Sequence, residues 1–203
     1  MKLILVRHGE TDLNRDGRIL GLTDAPLNAT GRSQASAVAA PLAAELPFKM
    51  YVSPLARAME TAHIVADALG ITPTPLSGLQ EADAGELDGL KASDVQRLYP
   101  QFASRWEHNA ATAQMPGGES LLEVQTRAWK AVTQLAREHG EVTIVAVTHN
   151  FVIGAILCKA LETPLRNFRR LRLDVGSLTR LDLSSSRPRL LSMNDTSHLE
   201  AVK

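Results

Sequence analysis

The chain has 203 residues, 22 basic and 22 acidic side chains, no formal net charge, and 44% hydrophobic residues. This length and hydrophobic content are sufficient for one sizeable domain with a full core, and they argue against a disordered chain. The charge balance argues against a nucleic-acid-binding protein, which usually has an excess of basic residues.

The sequence has no segment typical of export or membrane anchoring. No signal peptide precedes the first apolar run, and no apolar run approaches the roughly 18 residues of a membrane span. The single cysteine, Cys158, excludes an intramolecular disulfide framework. We therefore expect a cytoplasmic protein that has neither a nucleic-acid nor a membrane partner.

The first apolar run, residues 2–6, predicts a buried strand that ends abruptly in polar residues. Arg7, His8 and Gly9 follow it directly, and Asn14 lies one short turn further on. Ligands bind at the carboxyl ends of strands in open α/β sheets. A cation, an imidazole, an amide donor and a glycine that permits close backbone approach indicate a phosphate site.

Turn residues, caps and apolar runs predict the next elements. They are a loop at 16–31, a helix at 31–46, a strand at 48–53, a helix from 53 to near 70, and an edge strand at 71–76. Thr30 is the predicted N-cap of the first helix and Ser53 that of the second. Pro54 occupies a first-turn position, where proline is tolerated.

The second half of the chain continues the alternation of helices and strands. Its predicted elements are two short helices at 91–109, a loop at 110–115, a helix at 121–139, a strand at 142–147, a helix at 151–161, and strands at 176–183 and 189–193. His149 and Asn150 follow the apolar strand at 142–147, and so repeat the arrangement around His8. This alternation predicts an α/β fold with a mostly parallel, doubly wound sheet and helices on both faces.

Three segments together resemble the histidine phosphatase superfamily, which contains cofactor-dependent phosphoglycerate mutases and many phosphomonoesterases. They are Arg7-His8-Gly9-Glu10-Thr11 with Asn14, the stretch 53–62 around Arg57, and the stretch 79–89 around Glu81. The resemblance implies a phosphoglycerate mutase-like, three-layer α/β/α sandwich. It also implies a single domain over residues 1–203, to which we add a small helical cap at about 91–115.

The resemblance also implies roles for individual residues. His8 corresponds to the nucleophile, Arg7 and Arg57 to phosphate-binding arginines, and His149 to the second histidine. Glu81 falls on the position of the acid. Asp83 and Glu86 are competing carboxylates that the sequence does not exclude.

Two further positions are candidates for substrate contact. Thr23 lies in a stretch that resembles the family's loop before the first helix. Asn150 stands where family members usually have glycine directly after the second histidine. The residues expected to bind phosphate or substrate are Arg7, Gly9, Asn14, Thr23, Arg57, His149 and Asn150.

The pattern of ligand-type residues does not indicate a metal or a cofactor. The six histidines lack the spacing of zinc ligands, and no acidic cluster indicates magnesium. We therefore expect chemistry without a metal and without a cofactor, with a small phosphorylated metabolite as partner. The protein is expected to be a monomer or a homodimer.

The predicted function is a metal-independent phosphomonoesterase that acts through a phosphohistidine intermediate. The alternative is a cofactor-dependent phosphoglycerate mutase, but mutases of the family follow their acid with Arg-His-Tyr-Gly and have further basic residues. Here residues 82–85 are Ala-Asp-Ala-Gly, and Lys91, Arg97 and Arg105 are the only lysines and arginines between Glu81 and Met115. A non-catalytic phospho-ligand-binding protein is the third possibility, although a binder needs neither a nucleophile nor an acid.

Overall fold

The computed structural model describes residues 1–202, and a six-stranded mixed sheet forms its centre. The strands are β1 (Lys2–Arg7), β2 (Lys49–Val52), β3 (Pro73–Pro75), β4 (Thr143–Thr148), β5 (Leu178–Asp182) and β6 (Arg189–Asp195). Their order is β3-β2-β4-β1-β5-β6. Strands β3, β2, β4 and β1 are parallel, whereas β5 and β6 continue the sheet in antiparallel pairs.

Helices cover both faces of this sheet. They are α1 (Asp12–Arg15), α2 (Ala29–Ala43), α3 (Ala56–Leu69), α4 (Ala92–Leu98), α5 (Pro100–Asn109), α6 (Leu121–His139) and α7 (Asn150–Ala160). Short 3-10 helices lie at Ser77–Leu79, Gly85–Leu87, Leu165–Arg170 and Ser197–Val202. No helix within residues 1–202 is both long and apolar enough to cross a bilayer.

The alternation of side chains along the strands divides the core into two layers. On β1, Ile4 and Val6 pack with residues of α2 and α3, whereas Leu3 and Leu5 pack with residues of α6 and α7. Both sets of side chains are fully buried. The predicted three-layer α/β/α fold with a mostly parallel sheet is therefore confirmed.

Most predicted elements are present, but two predicted helix caps are wrong. Helix α2 begins before Thr30, because Asn28 Oδ1 accepts a hydrogen bond from Gly31 N at 2.8 Å and caps the helix. Helix α3 begins at Ala56 rather than at Ser53, and Ala56 N donates to Asp24 Oδ1 at 2.6 Å. A carboxylate distant in sequence therefore occupies the place of the expected local cap.

Candidate active site

The two histidines predicted at strand ends lie together. His8 follows β1 and His149 follows β4, and these neighbouring parallel strands pair Arg7 with Thr148. His8 N donates to Thr148 O at 3.0 Å, which joins the two strand ends. Both side chains are buried, and their ring centroids are 5.0 Å apart.

The His8 ring has a defined tautomer. Its Nδ1 lies 2.7 Å from the carbonyl oxygen of Gly9, which can only accept, so Nδ1 must hold the proton. Burial, followed by the charges of Arg57 and Arg7, lowers the pKa of His8 well below its ordinary value of 6.5. The ring is therefore neutral near pH 7, and Nε2 has a free electron pair.

Arg57, in the first turn of α3, is fully buried and holds a neighbouring loop. Its two terminal nitrogens donate to Gly21 O at 2.7 Å and to Thr23 O at 3.0 Å. Asp88 binds the same loop from the other side, through the backbone N–H groups of Gly21 and Thr23. Thr23 thus contributes its carbonyl to the site, while the residue itself is exposed.

Three buried donors of the site have no hydrogen-bond partner within residues 1–202. They are Arg7 Nε, Arg57 Nε and His149 Nδ1. An unsatisfied buried polar group typically costs about 1–3 kcal/mol, so such groups call for an explanation. An anion that accepts from two guanidinium groups and an imidazole would satisfy all three, and phosphate is such an anion.

The remaining contacts of Arg7 and His149 hold their side chains in place. Arg7 donates through a terminal nitrogen to Leu173 O at 2.5 Å. His149 Nε2 lies 2.7 Å from Ser53 Oγ. Burial, followed by the charge of Arg57 and then the interaction with the neighbouring His8 ring, lowers the pKa of His149 well below 6.5, so this ring is also neutral near pH 7.

Glu81 is the buried carboxyl group of the site, with 4% of its surface exposed. Its two oxygens accept from Ala82 N at 2.9 Å and from Phe151 N at 3.3 Å. Burial raises the pKa of Glu81 above its ordinary value, and this effect outweighs the hydrogen bonds and the nearby arginines, which lower the pKa. The protonated form is therefore favoured more than in a solvated glutamate.

The two competing carboxylates have other partners. Asp83 accepts from Gly85 N at 2.9 Å, and Glu86 is exposed and accepts from the Tyr99 hydroxyl at 3.0 Å. Glu81, by contrast, interacts electrostatically with both Arg7 and Arg57. The geometry therefore favours Glu81 over the other two as the acid.

Gly9 differs from the sequence-based expectation. A Cβ at this position would lie 2.3 Å from Gly31 O, so the glycine is required for packing against α2. Its N–H donates to Thr61 Oγ1 at 3.1 Å and is not free for a ligand. The structure thus explains Gly9 by the close approach of two backbone segments, and phosphate binding by this residue stays a prediction.

Asn14 and Asn150 are the remaining expected ligands. Asn14 Oδ1 accepts from the backbone N and the hydroxyl of Thr11 at 3.2 and 3.0 Å, as part of the capping box of α1. The side-chain NH2 of Asn14 is thus the group left to donate elsewhere. Asn150 directly follows His149, is the first residue of α7 and lines a cavity.

The sequence profile of the histidine phosphatase superfamily (branch 1) matches residues 3–196. The chain belongs to the histidine phosphatase superfamily. The match includes all six strands, apart from Lys2 at the start of β1, and every helix described above except the terminal 3-10 helix. The family resemblance expected from the three sequence segments is therefore confirmed.

Members similar to this chain have different names. Phosphoserine phosphatase 1 of Hydrogenobacter thermophilus is 32% identical over 199 residues, covering 98% of this chain and 94% of that protein. The probable phosphoglycerate mutase GpmB of Yersinia pestis (strain Pestoides F) is 32% identical over 206 residues, covering 98% and 95%. A mycobacterial glucosyl-3-phosphoglycerate phosphatase, solved with VO3, superposes with a TM-score of 0.87 at 31% identity, covering 96% of this chain and 99% of that one.

In this member of the superfamily, three residues that support the site were missed as site residues from the sequence. Ser53 contacts His149, Thr61 accepts from Gly9 N, and Arg127 of α6 donates to the carbonyl oxygen of Glu81 at 2.9 Å. Ser53 and Thr61 lie in the family-like segment around Arg57, which was a signal for both. Arg127 lies mid-helix and has no comparable local signal.

No group of three or more His, Cys, Asp or Glu side chains within residues 1–202 is arranged to hold a metal ion.

Proposed function

We propose that this protein is a phosphomonoesterase that acts through a phosphohistidine on His8. One observation carries the proposal: the His8 ring, whose Nε2 is unprotonated, lies 5.0 Å from the His149 ring and interacts electrostatically with Arg57 and Arg7, and each of these three neighbours has a buried nitrogen without a partner within residues 1–202. A nucleophile beside groups that can bind an anion fits the transfer of a phosphoryl group. The phosphatase names of two of the three relatives support hydrolysis.

In the first step, the electron pair of His8 Nε2 attacks phosphorus and the bond to the leaving oxygen breaks. Glu81, whose protonated form is favoured by burial, gives its proton to that oxygen, so that a neutral alcohol departs. Arg7, Arg57 and His149 stabilise the charge spread over the remaining phosphate oxygens. The hydrogen bond from Nδ1 to the Gly9 carbonyl stabilises the positive charge that develops on the ring.

In the second step, water attacks the phosphorus of the phosphohistidine. Glu81 is now a carboxylate and takes the proton of that water, while the P–N bond breaks and its electrons return to His8 Nε2. Inorganic phosphate leaves, and both side chains regain their starting protonation. The cycle uses residues of this chain and water alone.

The mutase alternative is favoured by the name of the Yersinia relative. A mutase must retain a doubly anionic sugar acid while the phosphoryl group moves between its oxygens. The cations closest in sequence to Glu81 are not placed for this, because Lys91, Arg97 and Arg105 do not line the cavity next to Asn150, and Arg97 pairs with Asp94 at 3.1 Å. We therefore favour water as the acceptor.

The cap predicted at about 91–115 corresponds to α4, α5 and the loop after them. Val95 of α4 and Phe102 of α5 are buried in the same core cluster as α6 and α7. We propose that these helices cover the substrate and form part of its binding pocket.

Phosphorus NMR separates the possible activities. The purified protein receives 3-phosphoglycerate, a trace of 2,3-bisphosphoglycerate and 4-nitrophenyl phosphate, with a chelator in place of metal. Free phosphate from the aryl ester without formation of 2-phosphoglycerate is the expected result. Formation of 2-phosphoglycerate would make the protein a mutase, whereas no turnover of either ester would favour a non-catalytic binder.

A further inference from the structure

A cavity of about 530 Å³ has an aromatic wall, and its lining includes Phe151 and Leu173, whose backbone groups contact Glu81 and Arg7. Four rings form this wall, with neighbouring centroids 5.5–6.1 Å apart in tilted and edge-on arrangements. They are Phe102 and Trp106 of α5, Phe151 of α7, and Phe168 of a 3-10 helix. We call this cavity the leaving-group pocket, for the reasons that follow.

Three residues that line the pocket are linked directly to the proposed catalytic residues. Phe151, which lines it, donates its N–H to Glu81 Oε2, and Asn150, also in the lining, directly follows His149. Leu173 lines the pocket as well, and its carbonyl accepts from Arg7. Since Glu81 protonates the leaving oxygen in the proposed mechanism, the group attached to that oxygen must extend from Glu81 towards Phe151.

The charges around the pocket do not suit a leaving group with a carboxylate. Within residues 1–202, Arg169 is the one cation that lines the pocket; it is exposed and lies over the Trp106 ring, 5.4 Å from the centroid. Glu107, also in the lining, adds a negative charge. An apolar ring, in contrast, would be attracted to the aromatic wall and would displace water from it.

We propose that the leaving-group pocket binds an apolar, ring-bearing alcohol, so that the substrate is a phosphomonoester of such an alcohol. The assignment rests on the proposed phosphomonoesterase function. It distinguishes this chain's substrate from the small acids in the names of the relatives, because phosphoserine and phosphoglycerates would place a carboxylate against aromatic rings and Glu107.

The test compares two esters with leaving alkoxides of similar basicity, 2-(1-naphthyl)ethyl phosphate and ethyl phosphate. Any difference in kcat/KM then reports binding of the ring rather than leaving-group chemistry. We expect the naphthyl ester to be favoured by about tenfold or more, the scale of burying an apolar ring. Equal values of kcat/KM would overturn the proposal.

A matched pair of variants tests whether the preference for the naphthyl ester arises in the leaving-group pocket. Ala103 is half-buried and lines the pocket, whereas Ser104 is exposed on the same helix α5 and does not line it. Ala103→Leu should reduce the naphthyl-to-ethyl ratio several-fold, and Ser104→Leu should leave it unchanged. If Ala103→Leu does not fold, Ala92→Leu on α4 fills the same pocket from another helix. A naphthyl-to-ethyl ratio that does not change in the variant that fills the pocket would also overturn the proposal.

Calorimetric titration with 2-(1-naphthyl)ethanol separates this proposal from the proposed function. Binding to the wild type that weakens in the filling variant would support the pocket even if no ester were hydrolysed, in which case the phosphomonoesterase function alone would fail. Hydrolysis of ethyl phosphate without any binding of the alcohol would leave the function standing and remove the pocket assignment.

Discussion

His8 and His149 lie with ring centroids 5.0 Å apart and ring planes inclined by 57°, at the ends of two neighbouring parallel strands. Burial next to Arg57 and Arg7 lowers the pKa of both rings. Two neutral imidazoles can take different roles, because each has one nitrogen occupied by a fixed partner. His8 keeps Nε2 free for attack, and His149 keeps Nδ1 free to contact the phosphate.

Replacing His8 with alanine should abolish formation of the phosphoenzyme, because no other group in the cluster combines a free electron pair with these donors. The measurement is labelling with a phosphorus-32 ester, quenched in base because phosphohistidine is labile in acid. The matched control is His63→Ala, since His63 is exposed on α3. Equal labelling of the two variants would contradict the role of His8.

Replacing Glu81 with glutamine should lower kcat/KM most for esters with poor leaving groups. Ethyl phosphate needs a proton on its leaving oxygen, so its kcat/KM should fall by about 100-fold or more. The nitrophenolate of 4-nitrophenyl phosphate departs without a proton, and its kcat/KM should fall much less. Glu86→Gln, at an exposed carboxylate of the same loop, is the control. An equal loss for both esters would show that Glu81 is not the acid.

The pH profile of kcat/KM for ethyl phosphate should have an acidic limb caused by protonation of His8 and an alkaline limb caused by deprotonation of Glu81. Activity needs neutral His8, so it should fall with decreasing pH only well below 6.5, after correction for the second ionisation of phosphate near about 6. It also needs protonated Glu81, so it should fall as pH rises through a value above 4.5. The alkaline limb should be absent in Glu81→Gln, and its persistence would assign it to another group.

Ser53 should act as a positioning residue for His149. Its Oγ accepts from Leu55 N at 3.4 Å, which leaves its hydrogen free to donate to His149 Nε2 at 2.7 Å and keeps the proton on Nδ1. Ser53→Ala should allow the other tautomer and lower kcat/KM by about tenfold, the equivalent of one hydrogen bond.

Nitrogen-15 NMR of the His149 ring distinguishes this effect from simple destabilisation. We expect the chemical shifts of Nδ1 and Nε2 to change in Ser53→Ala. They should stay the same in Ser33→Ala, which removes an exposed hydroxyl of α2. Lower activity with unchanged ring shifts would mean that Ser53 does not set the tautomer.

Two glycines should respond in opposite ways to substitution by alanine. At Gly9 the new Cβ would lie 2.3 Å from the backbone oxygen of Gly31, and we expect a loss of about 3 kcal/mol in the free energy of unfolding. At Gly154, inside α7, the Cβ would meet Phe168 at 3.7 Å, and we expect a gain of about 0.5–1 kcal/mol from helix propensity. Urea denaturation measures both, and changes of the same sign would contradict the packing described here.

Much of the fold was predictable because its signals are local. The apolar runs that became β1 and β4 end just before His8 and His149, and the helix predicted at 121–139 is α6 over its full length. Parallel pairing of strands then required their ends to meet at one edge of the sheet. The main candidates of the site therefore followed from the sequence together with its resemblance to the family.

The tertiary structure decided what surrounds those residues. Ser53 and His149 are 96 positions apart in the sequence, and Arg127 and Glu81 are 46 apart, yet each pair is in contact. The sequence predicted a ligand contact for Gly9, and only the structure shows that Gly9 allows the backbone of Gly31 to approach closely. Such relationships depend on which elements the sheet brings together, and periodicity and capping signals hold no information about partners so distant. The sequence alone therefore determined the elements and the chemical groups, and the packing of those elements determined protonation, tautomer and the shape of the leaving-group pocket.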